Sequence, residues 1–171
     1  TLLIHLNDPS TGLREMLRVL RPGGVLLVVE PNNFSNRAVA SNLTEAQSVD
    51  QVLDRLRFDL HIERGKKALG LGYNSAGDFI PGRLAELGAL QIAVHLSDKA
   101  SPLFPPYAPD EQQANVRLIQ DWARREFVGW DRAEMEAYYL AGGGDPARFA
   151  FYWQQGLDDL RKAARAIHEG T

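Results

Sequence analysis

Residues 13–33 read LREMLRVLRPGGVLLVVEPNN, and the succession of patterns within them governs the fold expected from this chain. Leu13, Met16, Leu17 and Leu20 recur at i, i+3, i+4 and i+7, one face of an α-helix. Asp8 and Pro9 supply its start: the carboxylate accepts orphan N–H groups and proline suits the first helical position. Arg18 and Arg21 fall in the last turn, where cations complement the helix dipole. Pro22 ends the helix, and Gly23-Gly24 permit a sharp reversal. Val25, Leu26, Leu27, Val28 and Val29 then follow without a polar interruption. A run apolar on both faces predicts a parallel strand covered on both sides. Burying each such side chain contributes roughly 1.5–3 kcal/mol, so the run calls for neighbouring strands. Glu30, Pro31, Asn32 and Asn33 close it, and the carboxyl end of a central strand is where open α/β sheets build pockets.

Outward from this unit the chain reads mostly as helix. Residues 34–69 carry a stripe of Leu43, Ala46, Val49, Leu53, Leu56 and Leu60, with Asn42 and Glu45, or Thr44 and Gln47, as a capping pair. Residues 70–77, GLGYNSAG, read as a loop. A further helix is expected over about 79–87, ended by Gly88 in a left-handed conformation. Residues 90–96 alternate, with Leu90, Ile92, Val94 and Leu96 on one face, and predict a half-covered strand. Pro102, Pro105, Pro106 and Pro109 then exclude regular structure. Three helices complete the chain, starting near Pro109, at Asp131 with Glu134 as a capping pair, and at Asp145-Pro146. Two strands among some six helices make an unbalanced α/β domain, with the extra helices as a pocket cover or a partner surface.

Size and charge narrow the function classes. The chain has 171 residues and a formal net charge of −3, enough for one domain with a core. No basic stripe suggests nucleic acid; Lys66-Lys67 and Arg124-Arg125 read as solvated surface pairs. Cysteine is absent, which excludes disulfides and thiolate chemistry. No apolar run approaches the ~20 residues of a membrane span, and no signal peptide opens the chain, so a cytoplasmic protein is expected. His61, His95 and His168 show no metal-ligand spacing, and no nucleophile elbow occurs. Gly70 and Gly72 lack the preceding apolar strand that a dinucleotide loop requires.

His5, Asp8, the run 13–24 and the strand ending in Glu30-Pro31 together resemble class I S-adenosylmethionine-dependent methyltransferases. The likeness is to the small-molecule branch that includes the ubiquinone and menaquinone biosynthesis enzymes. In that family a helix ending R-V-L-(K/R)-P-G-G leads into the fifth strand, as Arg18 to Gly24 do here. An L-x-E-x-G-(A/F) helix end leads into the sixth, matched by Leu84, Glu86, Gly88 and Ala89. The resemblance covers 1–33 and 78–98. It implies an α/β fold, a partial Rossmann-like methyltransferase sheet with a large helical addition. The expected division is core helix and strand at 1–33, a helical insertion or lid at 34–77, core helix and strand at 78–98, and a helical cover at 99–171. The family's glycine-rich turn and second-strand acid do not occur here. The expected chain is therefore a distal half, inactive alone, of an enzyme using S-adenosylmethionine as cofactor and a small-molecule methyl acceptor as partner.

The resemblance places His5 beside the cofactor and the methyl-transfer region, to orient substrate or take up a proton; packing within its loop is the other reading. Glu30 is the candidate base, with Asn32 and Asn33 orienting substrate; capping and chain reversal compete with those roles. Tyr73 and Asn74 are candidate lid residues over a substrate, or ordinary loop residues. The aromatic series Trp122, Phe127, Trp130, Tyr138, Tyr139, Phe149, Tyr152 and Trp153 reads as core packing or as an acceptor pocket. A non-catalytic interaction module derived from such an enzyme is the alternative from a different class. Oligomeric state is not legible.

Overall fold

A computed structural model describes residues 1–33, 44–96 and 103–170. Among them the regular structure is helical throughout: α1 (Pro9–Arg18), α2 (Val49–Ala68), α3 (Ile80–Glu86), α4 (Asp110–Arg125), α5 (Arg132–Ala141) and α6 (Pro146–Glu169), with short 3-10 turns at Leu3–His5 and Gly77–Phe79. The caps follow the polar residues that announce them. Asp8, Asp131 and Asp145 each accept a backbone N–H from the first turn that follows. For α2 the cap is Ser48, in a reciprocal capping box with Gln51, rather than Thr44 with Gln47; Asn42 and Leu43 lie outside the described residues. Gly88 adopts φ +84°, as a left-handed terminator should.

The α/β sheet does not occur: no strand is present among the described residues, which corrects the partial Rossmann-like fold expected from 25–29 and 90–96. Val25, Leu27 and Val29 are exposed at 87%, 85% and 70%, while Val28 packs against Leu3, Leu13 and Ile80. The aliphatic run is therefore covered on one face only, through Val28, by helices and turns. Leu90, Ile92, Val94 and Leu96 are likewise exposed. A short apolar run becomes a strand only beside partner strands, which are non-local, and among the described residues none pairs with these segments.

Two apolar clusters hold the structure. The larger joins Phe58 and Ile62 of α2, Met135, Tyr138 and Tyr139 of α5, and Phe149, Tyr152, Trp153 and Leu157 of α6. The aromatic series is thus chiefly core: Phe58 lies 5.2 Å from Tyr139 and 4.9 Å from Tyr152, ring centre to ring centre. Trp122 and Phe127 instead form an edge-on pair at the end of α4. Beside the cluster, Asp54 of α2 accepts from the Tyr152 hydroxyl at 2.8 Å and from Arg148 at 2.7 Å, tying α2 to α6. The smaller cluster, Leu3, Leu13 and Ile80, joins the chain start to α1 and α3.

Burial, and then the hydrogen bond to Asp54, push the Tyr152 hydroxyl from 10.0 up to about 12. Below about pH 10 folded and unfolded chains both keep this proton, and its stabilisation is present in full. Between about 10 and 12 the unfolded chain releases it first, so stability falls as pH rises through that window. Tyr138 and Tyr139, raised by burial, act with the same sign. Tyr152→Phe is expected to flatten the alkaline decline in urea midpoint relative to the parent; an equally steep decline in both would refute the assignment.

Candidate functional site

Three segments meet around the loop that leaves α2. The first is the turn Leu3–His5, the second is 30–33, and the third is the loop 70–78. Gly70 and Gly72 adopt φ +72° and +91°, which lets the loop after α2 double back against the chain start. The Tyr73 N–H then donates to the Ile4 carbonyl at 2.9 Å, and the Gly77 N–H to the Pro31 carbonyl at 3.0 Å. Gly77 has no room for a side chain: a Cβ there would stand 2.7 Å from the Glu30 carbonyl oxygen. The loop is thus stitched to both of the other segments through backbone atoms.

The six residues singled out from sequence lie in these three segments, with different surroundings. The Glu30 carboxylate turns inward: Oε1 accepts the N–H of Leu2 at 2.7 Å and of Leu3 at 2.9 Å. Its Oε2 is buried and has no hydrogen-bond partner among the described residues. Glu30 therefore caps the turn that carries His5, whose side chain is exposed. Asn32 donates through Nδ2 to the Asp78 carboxylate. Asn33 is exposed, and its N–H lies 3.5 Å from the Asn74 carbonyl oxygen. Tyr73 is half-buried; its ring sits 5.9 Å from that of Phe79, with the Lys67 ammonium 5.5 Å above it. Burial, followed by the negative charge of Glu63, raises the Tyr73 hydroxyl, so it stays protonated. Asn74 is buried, and its side-chain oxygen accepts from Lys66 Nζ. The joined segments form a ledge whose outward residues are His5, Asn33, Tyr73 and Phe79, with Glu30 and Asn74 turned inward as its supports.

Two members escaped the sequence reading. Asp78, just ahead of the helix expected over 79–87, was not singled out. Lys66 is not a solvated surface residue, as its pairing with Lys67 suggested, but 6% exposed. The signal was available: Phe58, Ile62 and Lys66 lie at i, i+4 and i+8, so Lys66 shares the buried face of α2 while Lys67 points outward. Among the described residues no cluster of three or more metal-ligating side chains occurs, and no helix is long and apolar enough to cross a membrane.

Two hollows lie elsewhere. One is a shallow groove of about 500 Å³ between α4 and α6, lined by Gln120, Ala123, Arg124, Ala164 and His168. The other, about 30 Å³, lies among Phe58, Trp130, Tyr152 and Trp153. Neither is bounded by the ledge residues. The ledge offers one edge of a site, and by itself it does not fit a group as large as S-adenosylmethionine.

The chain is similar to 2-methyl-6-phytyl-1,4-hydroquinone methyltransferase of Synechocystis sp. (strain ATCC 27184 / PCC 6803 / Kazusa), 37% identical over 51 residues. That match covers 30% of this chain and 16% of the relative, so the chain spans about a sixth of the curated protein it matches. No family model and no solved structure matches.

Proposed function

We propose that this chain is part of a small-molecule methyltransferase that uses S-adenosylmethionine, and that the ledge faces the methyl acceptor. The observation that carries the reading is the convergence of 3–5, 30–33 and 70–78 on one edge, joined to a sequence likeness to a methyltransferase. When bound, the cofactor supplies an electrophilic methyl group; in this reading the elements that grip it lie outside this chain. The chain's own residues then act on the acceptor. His5, carried on the turn that Glu30 caps, accepts the proton released from an acceptor hydroxyl. Asn33, exposed at the end of its segment, orients that hydroxyl, and the Asn32–Asp78 bond holds the segment in place. The Tyr73–Phe79 ring pair gives an apolar acceptor a flat surface to rest on. Catalysis of this kind is mostly positioning, so each single loss is modest.

The test uses the product of the complete reading frame. Calorimetry with S-adenosylhomocysteine is expected to show one site. His5→Ala should then lower kcat/KM toward a quinol acceptor about tenfold, the loss of one positioned polar contact, with S-adenosylhomocysteine affinity unchanged. Absence of binding at millimolar ligand would overturn the reading. A non-catalytic interaction module is the second reading, favoured by the exposed Val25, Leu27, Val29, Leu90 and Leu96; it predicts no cofactor binding.

A further inference from the structure

We propose that Lys66 is a positioning residue: from within α2 it holds the loop 72–77 in the place where that loop clamps the two other segments of the ledge. Its ammonium donates to the Asn74 side-chain oxygen, and both residues are almost fully buried, at 6% and 4% exposure. A buried ammonium is costly unless it is hydrogen-bonded and offset by charge. Glu63, buried one turn earlier on α2, supplies the offsetting negative charge. An apolar residue at this register of α2 would pack with no such cost, so the amine is explained by what it holds.

What it holds is the centre of a loop otherwise tied to the neighbouring segments by backbone bonds at Tyr73, Asn74 and Gly77 and by Asn32 at Asp78. The loop enters through two glycines at positive φ, which leave its unfolded alternatives numerous. The bond from Lys66 reaches the loop at its centre. From Asn74 the backbone carbonyl meets the Asn33 N–H, while its neighbours Tyr73 and Gly77 donate to Ile4 and Pro31. One buried amine is thereby linked to each piece of the ledge: through Asn74 to the 30–33 segment, and through Tyr73 to the turn bearing His5. Lys67, next in sequence, lies over the Tyr73 ring from the solvent side, so consecutive lysines hold the loop from within and from outside. The consequence for the acceptor rests on the proposed function; the loop-holding itself does not.

Hydrogen exchange on this chain tests the holding directly. Lys66→Met, which keeps length and removes the donor, is expected to speed exchange of the Tyr73 and Gly77 amides at least tenfold. Amides of α5 and α6 should be unchanged. Lys66→Arg, which keeps a charged donor, should restore most of the protection. Asn74→Ala should match Lys66→Met, and the double variant should go no further than either. Protected loop amides in Lys66→Met or in Asn74→Ala, or acceleration in α5 and α6 as large as in the loop, would overturn the proposal. In the complete enzyme, Lys66→Met should raise KM for the acceptor while leaving S-adenosylhomocysteine affinity intact. If the parent enzyme binds no S-adenosylhomocysteine, the proposed function fails while the exchange result still decides the role of Lys66.

Discussion

Gly65→Ala is expected to cost this protein about 2–4 kcal/mol, more than overpacking a tolerant core position does. Gly65 sits where α2 crosses α5, and its missing side chain is the reason the two backbones can approach. A Cβ there would stand well inside contact with the Tyr138 carbonyl oxygen, 2.5 Å from its carbon and 2.7 Å from the Gly142 nitrogen. These neighbours are backbone atoms, so no side-chain rotation relieves the overlap. Gly142 is the reciprocal position, where a Cβ would meet the His61 carbonyl carbon at 2.7 Å. His61 Nδ1 donates to the Gly142 carbonyl at 2.8 Å across the same crossing, so separating the helices breaks that bond as well. It also opens the contact of Phe58 and Ile62 with Met135, Tyr138 and Tyr139. Alanine's better helix propensity returns about 1 kcal/mol and does not offset this. A loss of about 3 kcal/mol corresponds to a fall in Tm of roughly 6–12 °C at this chain length. Gly82→Ala in α3, where a Cβ would meet nothing within 4 Å, is the control and should be neutral or stabilising. The Gly65→Ala and Gly142→Ala losses should not add, because either alone forces the crossing apart. An unchanged thermal midpoint for Gly65→Ala would refute the account of the crossing.

Local signals in this sequence served better than non-local ones, although the cap of α2 lies at Ser48 and not at Thr44. The aspartates at 8, 131 and 145, the first and last followed by proline, marked helix starts, because a cap is decided by atoms within one turn. Gly88 marked a helix end for the same reason. The run 25–29 was legible as an apolar element, but neither its strand pairing nor its environment was. Period-two exposure, with Val28 inward and Val25, Leu27 and Val29 outward, and burial on both faces demand the same five aliphatic residues. Only the partner decides between them, and partners are set by the rest of the chain. The site was legible to a similar depth. Polar residues at the end of an apolar run flagged Glu30, Asn32 and Asn33, the family resemblance flagged His5, and a glycine-bounded loop flagged Tyr73 and Asn74; all six lie in the three segments that meet. Whether each faces solvent or supports its neighbours was not legible. Glu30 and Asn74 turn inward, because two amide groups in one case and a buried amine in the other are within reach.

Gly72→Ala should detach the ledge while leaving the helices folded, and the reason is a comparison of magnitudes. At φ +91° an alanine is strained by about 1–3 kcal/mol. Its Cβ would also collide with the Ile4 carbonyl oxygen and approach the His5 carbonyl carbon to 2.8 Å. Against this, the loop is fastened to 3–5 by the Tyr73 N–H bond to Ile4, a contact worth about 0.5–1.5 kcal/mol net. That fastening is weaker than the strain, so the loop parts from the 3–5 turn at Tyr73, while Lys66 still ties its centre to α2. The larger apolar cluster does not, because no residue of the 70–78 loop belongs to it. Chymotryptic cleavage after Tyr73, now half-buried and stitched down, should accelerate tenfold or more, with helical circular dichroism within a few per cent of the parent. Exchange of the Tyr73 amide should rise in step. Cleavage at the parental rate would mean that the loop tolerates a side chain at 72, and that its path is not set by the close approach to Ile4 and His5. Loss of helical signal together with cleavage would mean that the ledge and the bundle unfold as one unit, and the separation of supports from scaffold drawn for this protein would fall.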